Sequence, residues 1–201
     1  VTVRSMGNSR AYPVLRTTDA AEAYRQARRL CALLKQIEDE VWLFAELATV
    51  REVREIAAIA PGMPFDYAEN RTDPATGDYL RFDLDVTALD DAALAEHLPL
   101  RFSEPVERER VEARILTALG DGTASVEWHG RWPDDSDADV DWPSKYDGVQ
   151  VLFHGDEAQW GDWTEEHTVF VHVTKWGDLP LAQELAAHIG SEVLGEAQLG
   201  W

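Results

Sequence analysis

Residues 131–143, Arg-Trp-Pro-Asp-Asp-Ser-Asp-Ala-Asp-Val-Asp-Trp-Pro, set the strongest limit on how this chain folds. Asp134, Asp135, Asp137, Asp139 and Asp141 fall between two Trp-Pro pairs, Trp132-Pro133 and Trp142-Pro143. Ionised carboxylates at this density do not leave water unless cations pair with them, and each proline removes a backbone donor. The stretch therefore belongs to a loop whose two bracketing indoles seek cover. It is either a presented acidic surface or a cation-binding loop.

The acidity is not confined to that loop. The chain has 38 acidic and 18 basic side chains, a formal net charge of −20. Residues 1–65 are near balance at +1, residues 66–133 carry −8, and residues 134–201 carry −13 with Lys145 and Lys175 as their only Lys or Arg. Such a balance argues against binding to nucleic acid or to an anionic membrane and favours a basic partner, a cation or a high-salt setting. At 201 residues the chain is long enough to bury a sizeable core in one domain, and a 45% hydrophobic fraction is ordinary for a globular protein. A single cysteine, Cys31, allows no internal disulfide and reads as a small buried hydrophobe among Leu30, Leu33 and Leu34. With no run of about 18 apolar residues and no apolar leader core, the expected location is cytoplasmic.

Periodicity places the elements. A short strand is expected near 12–15. Asp19 then caps a helix from Ala20 to about Glu38, with Tyr24, Ala27, Leu30, Cys31, Leu34 and Ile37 on one face. A buried strand follows at 41–47, and Thr49-Val-Arg-Glu52 forms a capping box that opens a helix to about Ala60. The polar, turn-rich residues 66–78 are the best boundary within an otherwise single domain. Alternation predicts a strand at 79–86. Asp90-Asp91 cap a short helix at 92–98, a strand is expected at 99–103, and Pro105 begins a helix closed by Gly120. Strands are expected at 123–129, 149–154 and 168–174. Asp178 caps a last helix at about 180–189, and a final short strand falls near 192–194. The class is α+β: a mixed or mostly antiparallel sheet packed against several amphipathic helices.

Three constellations bear on chemistry. Asp135, Asp137 and Asp139 have the alternate spacing of a calcium loop, but Val140 stands where that loop needs glycine and Tyr146 where it needs a bidentate glutamate. Strand parity offers His129, His154 and His172 to one sheet face, an arrangement that could hold zinc or transfer protons if the late strands lie side by side. The third is tryptophan among carboxylates: Trp132, Trp142, Trp160 and Trp163 beside Asp156, Glu157, Asp162, Glu165 and Glu166. Indoles supply burial or cation–π contact and carboxylates supply steering, the composition of a surface for a basic protein. No phosphate-binding glycine loop, His-Glu-x-x-His, cysteine pair or Gly-x-Ser-x-Gly elbow occurs, and no cofactor is implied.

The expectation is therefore a non-enzymatic acidic binding protein, most concretely an immunity or antitoxin-type inhibitor of a basic partner such as a nuclease toxin. The acidic, Trp-rich C-terminal half, residues 123–201, would carry the contact. The alternative is a metal-dependent enzyme using His129, His154 and His172.

Overall fold

The structure is a computed structural model that describes residues 9–35, 37–133, 147–159, 161–174 and 177–201. The described residues form an α+β protein of eight strands and five helices, and every strand pair with a defined register is antiparallel. Two compact units divide the chain: Val1–Glu38 with Ser125–Trp201, and Asp39–Ala124. Residues 66–78, expected as the boundary, lie inside the second unit. Among the described residues no helix is long and apolar enough to cross a membrane.

The first unit is built on β1 (Arg10–Thr17), α1 (Ala20–Cys31), β5 (Ala124–Gly130), β6 (Asp147–Phe153), β7 (His167–Val173), α5 (Leu179–His188) and β8 (Gln198–Leu199). Its strands run in the order β5-β6-β7-β1-β8. Asp19 starts α1 by accepting from the Ala21 and Glu22 amides, the side-chain cap that offsets two orphan donors. The helix ends at Cys31, earlier than the apolar stripe suggests. Lys35 and Arg131 exchange two backbone hydrogen bonds of 2.8 Å, which draw the chain into extended form. Ala23, Tyr24, Ala27 and Leu30 are buried on α1, and Tyr24 packs against Trp128 at 5.8 Å. Asp178 caps α5 through the Leu181 amide.

Register decides which residues share a face, because directly opposed residues in an antiparallel pair point to the same side. Ala11 opposes His172, Gly148 opposes His172, Gln150 opposes Phe170, and Leu152 opposes Thr168. Every residue of β6 and β7 is buried, so both faces of this sheet are covered. One face is valine-rich (Val149, Val151, Val169, Val171). The other carries Gln150, Thr168 and His172 beside Ala11, Leu152 and Phe170. The expected strand near 192–194 is replaced by β8 further on, while the Leu194 amide donates to the Pro13 carbonyl.

The second unit holds β2 (Glu40–Leu47), α2 (Val50–Ile59), β3 (Asp66–Tyr67), α3 (Asp91–Ala95), β4 (Leu100–Glu107) and α4 (Arg108–Ala118), with strand order β3-β4-β2. Two expectations need correction here. Residues 79–86 are not a strand. Phe82 and Val86 are buried but Leu80 and Leu84 are exposed, and the stretch has only the Thr72–Tyr79 bridge before Asp85 turns the chain through Thr87. Pro105 does not open a helix; it sits in β4 opposite Trp42. There β3 no longer accompanies β4, so the strand has a partner on one side only, a setting that tolerates proline. The helix begins at Arg108.

The capping box at α2 is complete. The Glu52 carboxylate is buried and accepts the Ala48 amide at 2.7 Å and the Thr49 amide at 2.9 Å. Thr49 in turn accepts the Glu52 amide. Glu52→Ala is expected to lower stability by roughly 1–2 kcal/mol, the value of a lost cap. Urea titration checks this; an unchanged midpoint would show that the box carries no weight.

Candidate functional site

The polar face of the first unit holds a continuous buried chain of side chains. His172 on β7 is 1% exposed and lies between two partners, Ser9 Oγ at 2.9 Å from Nδ1 and Gln150 Oε1 at 3.1 Å from Nε2. Gln150 Nε2 donates to Ala158 O at 3.1 Å and to Glu127 Oε1 at 3.4 Å, and Ser125 Oγ donates to the same carboxylate oxygen. Both neighbours of the Gln150 amide nitrogen are acceptors, so its oxygen must face His172. That oxygen requires a proton on His172 Nε2, leaving Nδ1 to accept from Ser9. The order is therefore fixed along the whole row.

A hydroxyl donating to an imidazole that is oriented by a third group has the polarity of a nucleophile and its base. Here the pair is sealed. The Trp201 indole stacks on His172 with centroids 3.3 Å apart and planes 13° from parallel, and His129 lies 4.6 Å from the same indole. Ser9 and Trp201 are tied by a 3.0 Å backbone bond, and the Gly200 amide returns one to Ser9. A Cβ at Gly200 would overlap Ser9 Oγ and His172 Nδ1, so only glycine lets the backbone lie this close. An open depression of about 330 Å³ lies outside, lined by Glu157, Gln159, Gln198 and Leu199. Its walls include the groups that close the row, since Gln159 Nε2 donates to Gly200 O and Gln198 Oε1 accepts the Ala158 amide. Closed in this way, the row gives the core a unique arrangement.

Burial also sets protonation. His172 is held well below the ordinary histidine range by loss of water, with the nearby His129 adding to the effect. Burial alone brings His129 down to about 4.

The three histidines expected to share a face do not form one cluster. β5, β6 and β7 are adjacent, and His129 and His172 do meet on either contact of the Trp201 ring. His154, however, lies six residues along from Gly148, the residue level with His172, a separation of about 20 Å at the usual strand rise. Its neighbour is His167, at 4.6 Å between ring centroids. Among the described residues no group of three or more His, Cys, Asp or Glu side chains is placed to hold a metal ion. Parity was legible; register was not.

The tryptophan and carboxylate candidates divide sharply. Trp132 was expected at the partner surface and is instead core: it is 1% exposed and its Nε1 donates to the His172 carbonyl at 2.8 Å. A ring this deep offers nothing to a partner. Asp134, Asp135, Asp137, Asp139, Asp141, Trp142 and Trp160 lie outside the described residues. Asp156 is half-buried, its carbonyl accepting Gln198 Nε2. Glu157, Asp162, Glu165 and Glu166 are exposed.

Trp163 is the outward-facing ring among them. It is 57% exposed and lies over the His154 imidazole at 5.4 Å, with planes 11° apart. The loop beneath it is tied at its base. Thr164 N–H donates to His154 O, Gly155 N–H to Glu166 O, and Thr168 Oγ to Gly155 O. His154 itself has φ 57°, a left-handed conformation that costs a non-glycine residue about 1–2 kcal/mol. Its backbone amide donates to His167 Nδ1 at 3.0 Å and its own Nδ1 lies 3.2 Å from Thr164 O. The arrangement presents an exposed indole, stacked on His154, beside Asp162, Glu165 and Glu166.

Searches against family models, curated proteins and solved structures found no match to this chain.

The desolvated imidazoles, His172 buried and His129 half-buried, give stability a defined pH dependence. A histidine whose folded pKa is depressed stabilises the fold fully above about pH 6.5 and loses that contribution as pH falls. From His129 alone the loss is roughly 2 kcal/mol by pH 5. Urea midpoints measured at pH 7.5, 6 and 5 are expected to fall, and His129→Gln to flatten the fall. A midpoint that rises steadily as the surplus negative charge is titrated would contradict this.

Proposed function

We propose that this chain is a binding protein, non-enzymatic in its action, that offers an acidic surface centred on Trp163 to a positively charged protein. An immunity or antitoxin-type inhibitor of a basic nuclease is the most concrete form of this reading. The observation that carries it is the exposure of Trp163, stacked on His154 and flanked by the exposed carboxylates of Asp162, Glu165 and Glu166.

A large ring held with one face outward costs energy unless something covers it, and a backed indole loses little conformational freedom when a partner arrives. The exposed part of the indole suits a guanidinium or ammonium group, which the ring quadrupole attracts. The carboxylates around it belong to residues 134–201, with their net charge of −13. A field of that sign accelerates encounter with a cationic groove and weakens as salt screens it.

The test uses the protein as bait with extracts of its source cells, beside a variant carrying Asp162→Lys, Glu165→Lys and Glu166→Lys. A basic protein captured by the native chain, eluted by salt and lost with the variant supports the proposal. With that protein purified, Trp163→Ala is expected to weaken binding about 30-fold, mostly through faster dissociation, in line with an interface anchor worth about 2 kcal/mol. Capture of the same proteins by both baits, with the same salt dependence, would overturn it.

A further inference from the structure

We infer that His154 and His167 form an acid-released clasp at the base of the Trp163 loop, so that the partner surface is assembled at neutral pH and let go in acid. The consequence for binding rests on the function proposed above; the clasp itself does not.

The geometry carries the inference. His167, at the start of β7, is buried, and its Nδ1 accepts the backbone N–H of His154. Nδ1 can accept only while it is unprotonated, so this bond exists only with the neutral ring. Adding a proton there sets two N–H groups against each other and removes an anchor from a residue in left-handed geometry. That residue is the platform of Trp163. Its ring stacks on the indole, its Nδ1 reaches Thr164 O, and its carbonyl accepts the Thr164 amide. One proton at His167 thus acts on the base of the whole loop from 154 to 166.

The groups facing His167 agree with this direction. From the loop, His154 opposes a positive charge at 4.6 Å between ring centroids; from β6, the Phe153 ring lies 5.6 Å away and offers no hydrogen bond. From the turn before α1, Asp19 and the Thr18 backbone favour the charged ring. Burial, with His154, outweighs them and holds His167 below the ordinary histidine range. The ring is therefore neutral at pH 7 and gains its proton only below the ordinary histidine range. The nearby carboxylates of Glu165 and Glu166 are exposed to water, where screening limits their pull on a buried ring.

The experiment is amide hydrogen exchange of the whole chain by NMR between pH 7.5 and 4.5, corrected for intrinsic exchange, with imidazole ¹⁵N shifts followed in the same samples. The His154 amide is expected to lose at least tenfold protection over this range, together with a shift of the Trp163 indole resonance and titration of His167 Nδ1. The Val171 amide, in the sheet, should stay protected and so report that the fold is intact. His167→Asn keeps an acceptor oxygen near the Nδ1 position without a titrating ring, and its His154 protection should not vary with pH. The inference is overturned if His154 stays protected once His167 has titrated, if His167 does not titrate by pH 4.5, if protection is lost without titration of His167, or if His167→Asn loses it equally. Should that variant not fold, the coincidence of the two wild-type transitions decides the matter. No partner enters this measurement, so a clasp that titrates in a protein that binds nothing would refute the proposed function alone.

Discussion

A neutral imidazole inside a sheet covered on both faces is the constraint on which the first unit depends. His172 has a donor on one side and an acceptor on the other, and neither can be exchanged without leaving a buried polar atom unmatched. That requirement reaches outward. It fixes the orientation of Gln150, which in turn engages Glu127 and Ala158, and it demands Ser9 at the mouth of β1. Glycine at position 200 lets the backbone close over the pair, and Trp201 completes the cover. An apolar core of the same size would tolerate sliding of one strand past another. This one does not, because a slip of one residue would separate His172 from Gln150.

The closed interior and the charged exterior point in opposite directions. Groups that have the chemistry of catalysis, a serine and a histidine in contact, are enclosed in the core. Among the described residues, those that face water include the carboxylates of Asp162, Glu165 and Glu166 and the backed indole of Trp163. The proposed function follows from that division: the outward chemistry is suited to recognising positive charge, and the loop that presents it is tied down at its base by hydrogen bonds to the sheet. Strain at His154 is compatible with this, since left-handed geometry at a non-glycine residue persists only where surrounding contacts enforce it.

Much of the fold was legible because it follows local rules. The caps at Asp19, Thr49, Asp90 and Asp178 are sequence patterns with a direct hydrogen-bond meaning, and each starts a helix. The continuous apolar runs of β6 and β7 identified neighbouring strands. What failed was whatever depends on distant pairing. Alternation at 79–86 has the period of a strand but no strand beside it. Pro105 resembles a helix start until its partner Trp42 is known. His154 and His172 share parity, and only the register reveals that they lie far apart. Trp132 sits beside five aspartates in sequence, yet its indole donates to a backbone carbonyl in the core. Of the site residues that sequence reasoning missed, Glu127 and Gln150 left a trace, as polar side chains inside the strands expected at 123–129 and 149–154. Ser9 left none, because its role comes only from the return of residues 198–201 to its side.

The most direct test of this account is the protonation state and tautomer of His172, read from long-range ¹H–¹⁵N correlations of the imidazoles in the folded protein. The account predicts a neutral ring with its proton on Nε2, unchanged between pH 8 and 5.5. A proton on Nδ1, or titration of His172 near pH 6.5, would contradict it.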